Sequence, residues 1–189
     1  MIAEQMASDL EGPRIRLRPA RPDDAKQAFA WYNDPEVVAP FDRFSVDTLE
    51  EFERSIGDAA SDPTSLAPRY VVAVREGDVP IGFVGHYVPH PVLETLDIWY
   101  VIGEREARRK GYATEAVALL VSHLFHTTPL PRVGASVDVE NVASLALLER
   151  LGFQREGVLR SALFHHARWH DVALYGVMRA DWQKRPPAA

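Results

Sequence analysis

None of the 189 residues is cysteine, which excludes a disulfide framework, a thiolate zinc site and a cysteine nucleophile together. Any chemistry must then rest on oxygen and nitrogen groups. Long apolar runs are also missing: no stretch approaches the roughly 20 residues of a membrane span. Segment 1–11 carries Glu4, Asp9 and Glu11 where a secretory leader would be basic and then apolar, so a cytoplasmic location is expected, with no membrane partner. No Pro/Gly-rich break, internal repeat or low-complexity tract divides the chain. One domain over residues 12–183 is expected, between short tails 1–11 and 184–189. Positive charge is scarce, with 21 Lys and Arg against 27 Asp and Glu; the net charge of −6 argues against a nucleic-acid partner. Mild acidity either keeps the protein soluble or favours a cationic ligand.

What is present has the make-up of an ordinary globular protein, 47% hydrophobic and 25% charged. Residues 15–18 alternate as a short strand, and Pro22-Asp23-Asp24 supplies helix-start chemistry for a helix over 25–32. Asp47 and Glu50 have capping-box spacing for a second helix with Leu49, Phe52 and Ile56 on one side. A hairpin is expected from strands 70–74 and 79–88 around Glu76-Gly77-Asp78. A strand over 96–102 would put Asp97, Trp99 and Val101 on one face, Ile98 and Tyr100 on the other. After Gly111 an apolar stripe, Ala113, Ala116, Val117, Leu120 and Leu124, marks a strong helix. A strand over 133–139, a helix over 142–151 stopped by Gly152, and strands near 156–164 and 172–178 complete the chain. The expected fold is α/β (α+β): one mixed sheet of six or seven strands flanked by about four helices.

The informative stretch is Arg108-Arg109-Lys110-Gly111-Tyr112-Ala113-Thr114, between a strand and the strongest helix. The first amides of a helix lack internal partners, and its dipole adds partial positive charge, so the position suits a phosphate. Gly111 allows close approach of an anion, and three cations precede or flank it. Neither a P-loop nor a dinucleotide fingerprint is present. A basic turn before a helix can equally be a solvated surface.

Arg108-x-x-Gly111-x-Ala113 resembles the Arg/Gln-x-x-Gly-x-Gly/Ala signature of the GNAT superfamily of N-acetyltransferases, and the resemblance spans nearly the whole chain. Leu17-Arg18-Pro19 with Asp23-Asp24, and Trp31 with Asp34-Pro35, are similar to the family's opening strand and helix; Asp97-Ile-Trp-Tyr-Val-Ile102 is similar to the strand beside the pantetheine arm. Asn141-Val-Ala-Ser144, Leu148-Glu-Arg-Leu-Gly152-Phe153 and Glu156-Gly-Val-Leu-Arg160 follow the ribosomal-protein-alanine N-acetyltransferase (RimJ/RimL-type) branch. The resemblance implies a GNAT-like domain using acetyl-CoA as co-substrate and no metal. Coenzyme A would be held by Arg108 to Thr114, by the backbone of Trp99, Tyr100, Val101 and Ile102, and by Asn141 and Ser144.

Acyl transfer from a thioester to an amine needs a neutral amine, a polarised carbonyl and a proton for the departing thiolate. Asp97 is the first candidate to accept the amine proton, with a purely structural carboxylate as the alternative; Glu94 and His86 stand in reserve. Many relatives protonate the thiolate with a Tyr at the position occupied here by Leu148, a departure that brings Ser144 forward. Asn141 would either hold the pantetheine arm or simply cap its helix. Trp31, Phe41, Phe44, His86, Trp99, His165 and Arg168 are candidates for the acceptor cleft, with core packing the alternative for Trp31, Phe41 and Phe44. His165, His166, His170 and Asp171 carry metal-ligand chemistry, but alternation in the last hairpin would point them to opposite faces, so no metal is expected. Three readings follow: acetylation of a protein or peptide N-terminus, acetylation of a small amine, and a non-catalytic CoA-binding sensor. Monomer and homodimer are both left open.

Overall fold

The β-branched and aromatic runs build one mixed sheet, seen in a computed structural model that describes residues 8–38, 48–58, 64, 67, 69–90, 92 and 95–184. Its strands are β1 (Leu10–Glu11), β2 (Ile15–Pro19), β3 (Tyr70–Val74), β4 (Val79–Tyr87), β5 (Leu96–Ile102), β6 (Arg132–Asp138), β7 (Gln154–His165) and β8 (Arg168–Met178). Their spatial order is β1-β2-β3-β4-β5-β6-β8-β7, so the sheet has eight strands where six or seven were expected. The difference lies at the edge: the two-residue β1 falls within the segment read as a tail and pairs Leu10 with Leu17. Two residues are too few to leave a period in the sequence.

Among the described residues, four helices of two turns or more cover the sheet: α1 (Ala25–Tyr32), α3 (Leu49–Asp58), α4 (Tyr112–Thr127) and α5 (Val142–Arg150); α2 (Pro35–Val38) and α6 (Arg179–Trp182) are single turns. None of the described helices is long and apolar enough to cross a membrane. The cap of α3 lies one residue beyond the expected pair. Thr48 Oγ1 accepts the Glu51 N–H at 3.2 Å while Glu51 Oε2 accepts the Thr48 N–H at 2.8 Å, a reciprocal capping box; Asp47 lies outside the described residues. Gly152 ends α5 in the left-handed region, φ 75°, and lets the Phe153 N–H return to the Leu148 carbonyl at 3.0 Å.

Strand alternation divides the core in two. Ile98, Val133, Ala135, Val137, Ala173, Tyr175 and Val177 face α4 and α5, meeting Val117, Leu120, Leu124 and Leu148. On the opposite face Phe83, Val71 and Val101 pack beneath α1 and α3 with Trp31, Phe52 and Ile56. That second core stops at β5, so on this face β6 and β8 carry polar residues instead: Ser136, Asp138 and His170.

One junction has a different character. Strands β5 and β6 are parallel neighbours, and they pair only at Leu96 with Val133 and Asp97 with Gly134. Beyond Asp97 they diverge, and the α4-facing side of the gap opens toward the first turn of α5.

Leu148, with 0% of its surface exposed, belongs to the larger core rather than to this gap. Leu148→Ala is expected to lower unfolding free energy by about 2–5 kcal/mol, measured by urea denaturation. A cost below about 1 kcal/mol would show that the residue is not a packing anchor.

Candidate functional site

The turn before α4 is shaped by two residues with positive φ, Arg109 at 61° and Gly111 at 82°. Gly111 is the N-cap of α4, and its carbonyl accepts the first helical bond from the Glu115 N–H at 3.1 Å. Among the described residues the amides of 109–114 meet no acceptor within the protein, so they form a bare rim at the positive end of a 16-residue helix. They open onto a pocket of about 200 Å³. Arg109, Gly111, Tyr112, Ala113 and Thr114 line one wall, Ile102 and Ala107 the floor, and Ala143, Ala146, Leu147 and Arg150 of α5 the other wall. The small alanines leave room between the helices, while Arg109 and Arg150 supply positive charge.

The turn is held from outside by a residue that periodicity did not single out. Arg14, in the turn between β1 and β2, donates from Nη1 to the Lys110 carbonyl and from Nε to Glu115 Oε2, both at 2.8 Å. Its guanidinium carbon lies 5.0 Å from the Tyr112 ring centroid, within cation–π range. Glu115 Oε1 also accepts the Arg14 and Ile15 amides, at 2.8 and 3.1 Å. The signal that could have found this clamp was an acidic side chain in the first turn of α4, the position where it would most enhance an anion's repulsion unless neutralised.

The predicted coenzyme residues therefore divide. Gly111, Tyr112, Ala113, Thr114, Arg109 and Ile102 gather around one pocket. Lys110 is exposed and contributes its carbonyl to Arg14. Arg108 turns inward, donating to the carbonyls of Ile102 at 3.2 Å and Gly103 at 3.1 Å, which braces the end of β5. Val101 and Trp99 point to the other face, Trp99 lying across Gly85, where a Cβ would come 2.6 Å from its indole nitrogen. Asn141 caps α5, its Oδ1 accepting the Ser144 N–H at 3.2 Å.

At the gap between β5 and β6, Tyr100 points to the α4 and α5 side, toward Ser144. Its hydroxyl is buried without a hydrogen-bond partner at normal geometry among the described residues. Burial pushes the phenol up to about 12, and the nearby Ser144 hydroxyl moderates the rise. Asp97 sits at the vertex itself, its carboxylate lying over Gly134 of β6, where a Cβ would come 3.0 Å from Asp97 Cγ. Ser136 Oγ is 3.5 Å from Asp97 Oδ2, and Arg132 Nη1 is 3.8 Å from Oδ1. Burial raises the Asp97 pKa above the usual carboxylate value, with Arg132 and Ser136 opposing.

Four acceptor-cleft candidates have other surroundings. Trp31, 6% exposed, packs edge-on against Phe83 at 5.5 Å and belongs to the second core. His86 pairs across to Ile98 and so faces α4, not the Trp99 side; burial, with Arg69 and His123 adding positive charge, pushes its imidazole down to about 3. Arg168 is exposed and forms a two-pronged pair with Glu140 at 2.9 and 2.5 Å. His165 lies buried against Asp138, described below. Phe41, Phe44 and Glu94 lie outside the described residues.

Residues 14–154 match the family model described as an acetyltransferase (GNAT) domain. The N-acetyltransferase YoaA of Bacillus subtilis is 30% identical over 174 residues, covering 90% of this chain and 96% of that one. The [ribosomal protein uS5]-alanine N-acetyltransferase of Escherichia coli is 31% identical over 83 residues, 44% of this chain and 42% of that one. Among solved structures, spermidine N-acetyltransferase from Vibrio cholerae in complex with CoA and spermine superposes with a TM-score of 0.79 at 20% identity, over 92% of this chain and all of that one.

Because the native pKa of Asp97 is raised, the folded state holds more protons than the unfolded state between the two values. Its contribution to stability is complete below about pH 4 and declines as pH rises through the native value. Asp97→Asn is expected to remove that decline. Urea denaturation at pH 4 and pH 7 should then show the variant gaining on wild type at the higher pH; a constant difference would mean that burial does not penalise the charge.

Proposed function

Since the chain belongs to the GNAT acetyltransferase family and is an acyltransferase, we propose that the rim of residues 109–114 grips the pyrophosphate of acetyl-CoA and that the acyl group goes to a primary amine. The observation that carries this reading is the set of amides around Gly111 that meet no acceptor among the described residues and open onto a pocket between α4 and α5. The pantetheine arm would run along the edge of β5 that β6 abandons after Asp97, where backbone groups can pair with its amides as a strand would. Bound there, acetyl-CoA supplies an acyl group already activated as a thioester.

The chain's own residues then have separable tasks. Asp97, at the vertex of the gap and on the face away from α4, would take the proton an alkylammonium must lose before attack, directly or through water. A raised pKa makes it a better proton acceptor than an ordinary carboxylate. Backbone N–H groups of β5 would polarise the carbonyl. The nitrogen forms its bond to the acyl carbon, the carbon–sulfur bond breaks, and the second proton of the attacking nitrogen passes to the departing thiolate, a transfer that the Ser144 and Tyr100 hydroxyls would relay on that side. Direct attack in a ternary complex fits a chain without cysteine, since no thiol is available to carry the acyl group.

The acceptor is proposed to be the N-terminal amine of a protein or peptide, on the strength of the relative that acetylates ribosomal protein uS5. The spermidine acetyltransferase of like fold supports a small polyamine as the second reading. A cytoplasmic location suits either.

Gly111→Glu, which adds a side chain and a negative charge at a left-handed position, is expected to abolish CoA binding in calorimetry while the circular dichroism spectrum is kept. Unchanged affinity in that folded variant would remove the site from α4. Thiol release from acetyl-CoA with alanine-terminated peptides and with spermidine then tests the activity: turnover with peptides alone supports the first acceptor, with spermidine alone the second. Binding without turnover on a broad amine panel would leave a CoA sensor.

A further inference from the structure

The polar end of the sheet face shared by Asp97 and Ser136 carries a cluster that acyl transfer does not use. On β6, alternation sets Ser136 and then Asp138 on that face, and Asp138 pairs across to Val172 of β8. In the β7–β8 hairpin, His165 pairs with Arg168 and Leu163 with His170, so His165 and His170 are diagonal neighbours on one side. The turn between them, His166 and Ala167 at φ 48° and 61°, is tight enough to bring both rings back over β6. The histidines thus converge, where alternation read from the sequence had suggested dispersal; His166 is exposed, and Asp171 instead accepts the Ser161 amide at 2.8 Å.

Asp138, His165 and His170 are 6%, 2% and 4% exposed. A single carboxylate oxygen, Asp138 Oδ2, lies 2.6 Å from His165 Nε2 and 2.9 Å from His170 Nδ1. The two imidazoles stack with centroids 3.6 Å apart and planes 22° apart. His170 Nδ1 is close to that oxygen but not aligned for a hydrogen bond, and three buried ring nitrogens, His165 Nδ1 and both of His170, have no hydrogen-bond partner among the described residues. Buried polar nitrogens are normally satisfied, and leaving them bare costs free energy. The one oxygen that reaches this pair leaves three ring nitrogens without an acceptor or donor among the described residues.

We propose that Asp138, His165 and His170 bind one divalent transition-metal ion, of the zinc class, which fixes the tip of the β7–β8 hairpin to the end of β6. Two neutral imidazole nitrogens and a carboxylate oxygen are the ligand set zinc accepts, at about 2.0–2.2 Å each. All three donor atoms lie within 4.8 Å of one another. Around zinc the donors stand about 3.3 Å apart, given tetrahedral geometry at those bond lengths. The carboxylate therefore withdraws by a few tenths of an ångström, and the rings turn out of their stack so that the ion lies in the plane of both. Glu140, whose Oε2 is 3.8 Å from His170 Nδ1, is in place to complete the set or to hold a bound water. Burial of all three ligands makes the site closed and structural rather than catalytic. The proposal stands apart from coenzyme binding, since none of the three residues lines the pocket between α4 and α5.

The test uses the full chain with any histidine tag removed, stripped with EDTA, given a small excess of zinc sulfate and passed through gel filtration. Metal content is read by plasma mass spectrometry and the melting temperature by calorimetry. Wild type is expected to retain one zinc per chain and to melt at a higher temperature than its stripped form. Asp138→Asn and His170→Gln, both close in shape to the native residues, should weaken zinc binding beyond the roughly 10–100-fold that outer-sphere changes produce. His166→Ala, on the exposed turn, should bind as wild type does. Cobalt substitution keeps the test independent of how well the variants fold, because the visible spectrum of the wild-type cobalt form reports imidazole and carboxylate ligation directly. Absence of retained zinc in folded wild type, or zinc retained equally by Asp138→Asn, overturns the proposal.

Discussion

Two residue pairs, Leu96 with Val133 and Asp97 with Gly134, hold the halves of the sheet together, and the chemistry of the molecule depends on their being only two. A parallel pair that continued along β5 would satisfy its backbone and leave nothing to recognise a ligand. Because pairing ceases at Asp97, the strand edge is open beyond it and the carboxylate stands at the vertex. The two sides of that gap differ in kind. Toward α4 and α5 lie the bare helix terminus, the pocket and the Tyr100 and Ser144 hydroxyls; on the other face lie Asp97 and the polar residues of β6 and β8. In the proposed reaction, donor and acceptor would approach one reacting centre from these opposite sides.

The flanking cores fix the strands on either side of the gap. Trp31, Phe83 and Val101 fill the sheet face under α1 and α3 up to β5, and Val117, Leu120, Leu124 and Leu148 fill the other. Arg108 adds a bridge of charge-assisted bonds to the last carbonyls of β5, Ile102 and Gly103. A side chain of the signature thereby acts on the backbone it follows, bracing the end of β5.

Much of this was legible in the sequence, for reasons that differ by element. Helices α1, α4 and α5 have periodic stripes and marked ends, and the alternation of Asp97, Trp99 and Val101 against Ile98 and Tyr100 held in three dimensions because β5 is regular over its whole length. The glycine of the α4 turn was recognisable because a left-handed N-cap favours that residue. What could not be read was anything joining distant segments. The Arg14 clamp spans about a hundred residues of chain, and Asp138 meets His165 and His170 only through hairpin register. Nor could local pattern decide between the two readings of Trp31, which packs against Phe83 on the Val101 face, or place His86, which lies on the α4 side opposite Ile98.

The tie from Arg14 to the carbonyl of Lys110 and to Glu115 makes the amino-terminal hairpin a remote support for the turn that ends in Gly111. On the proposed donor site, shortening scans from that end would register as a loss of donor affinity. Such an effect could easily be misread as trimming a contact residue, when what had gone was the scaffolding that keeps the rim in shape.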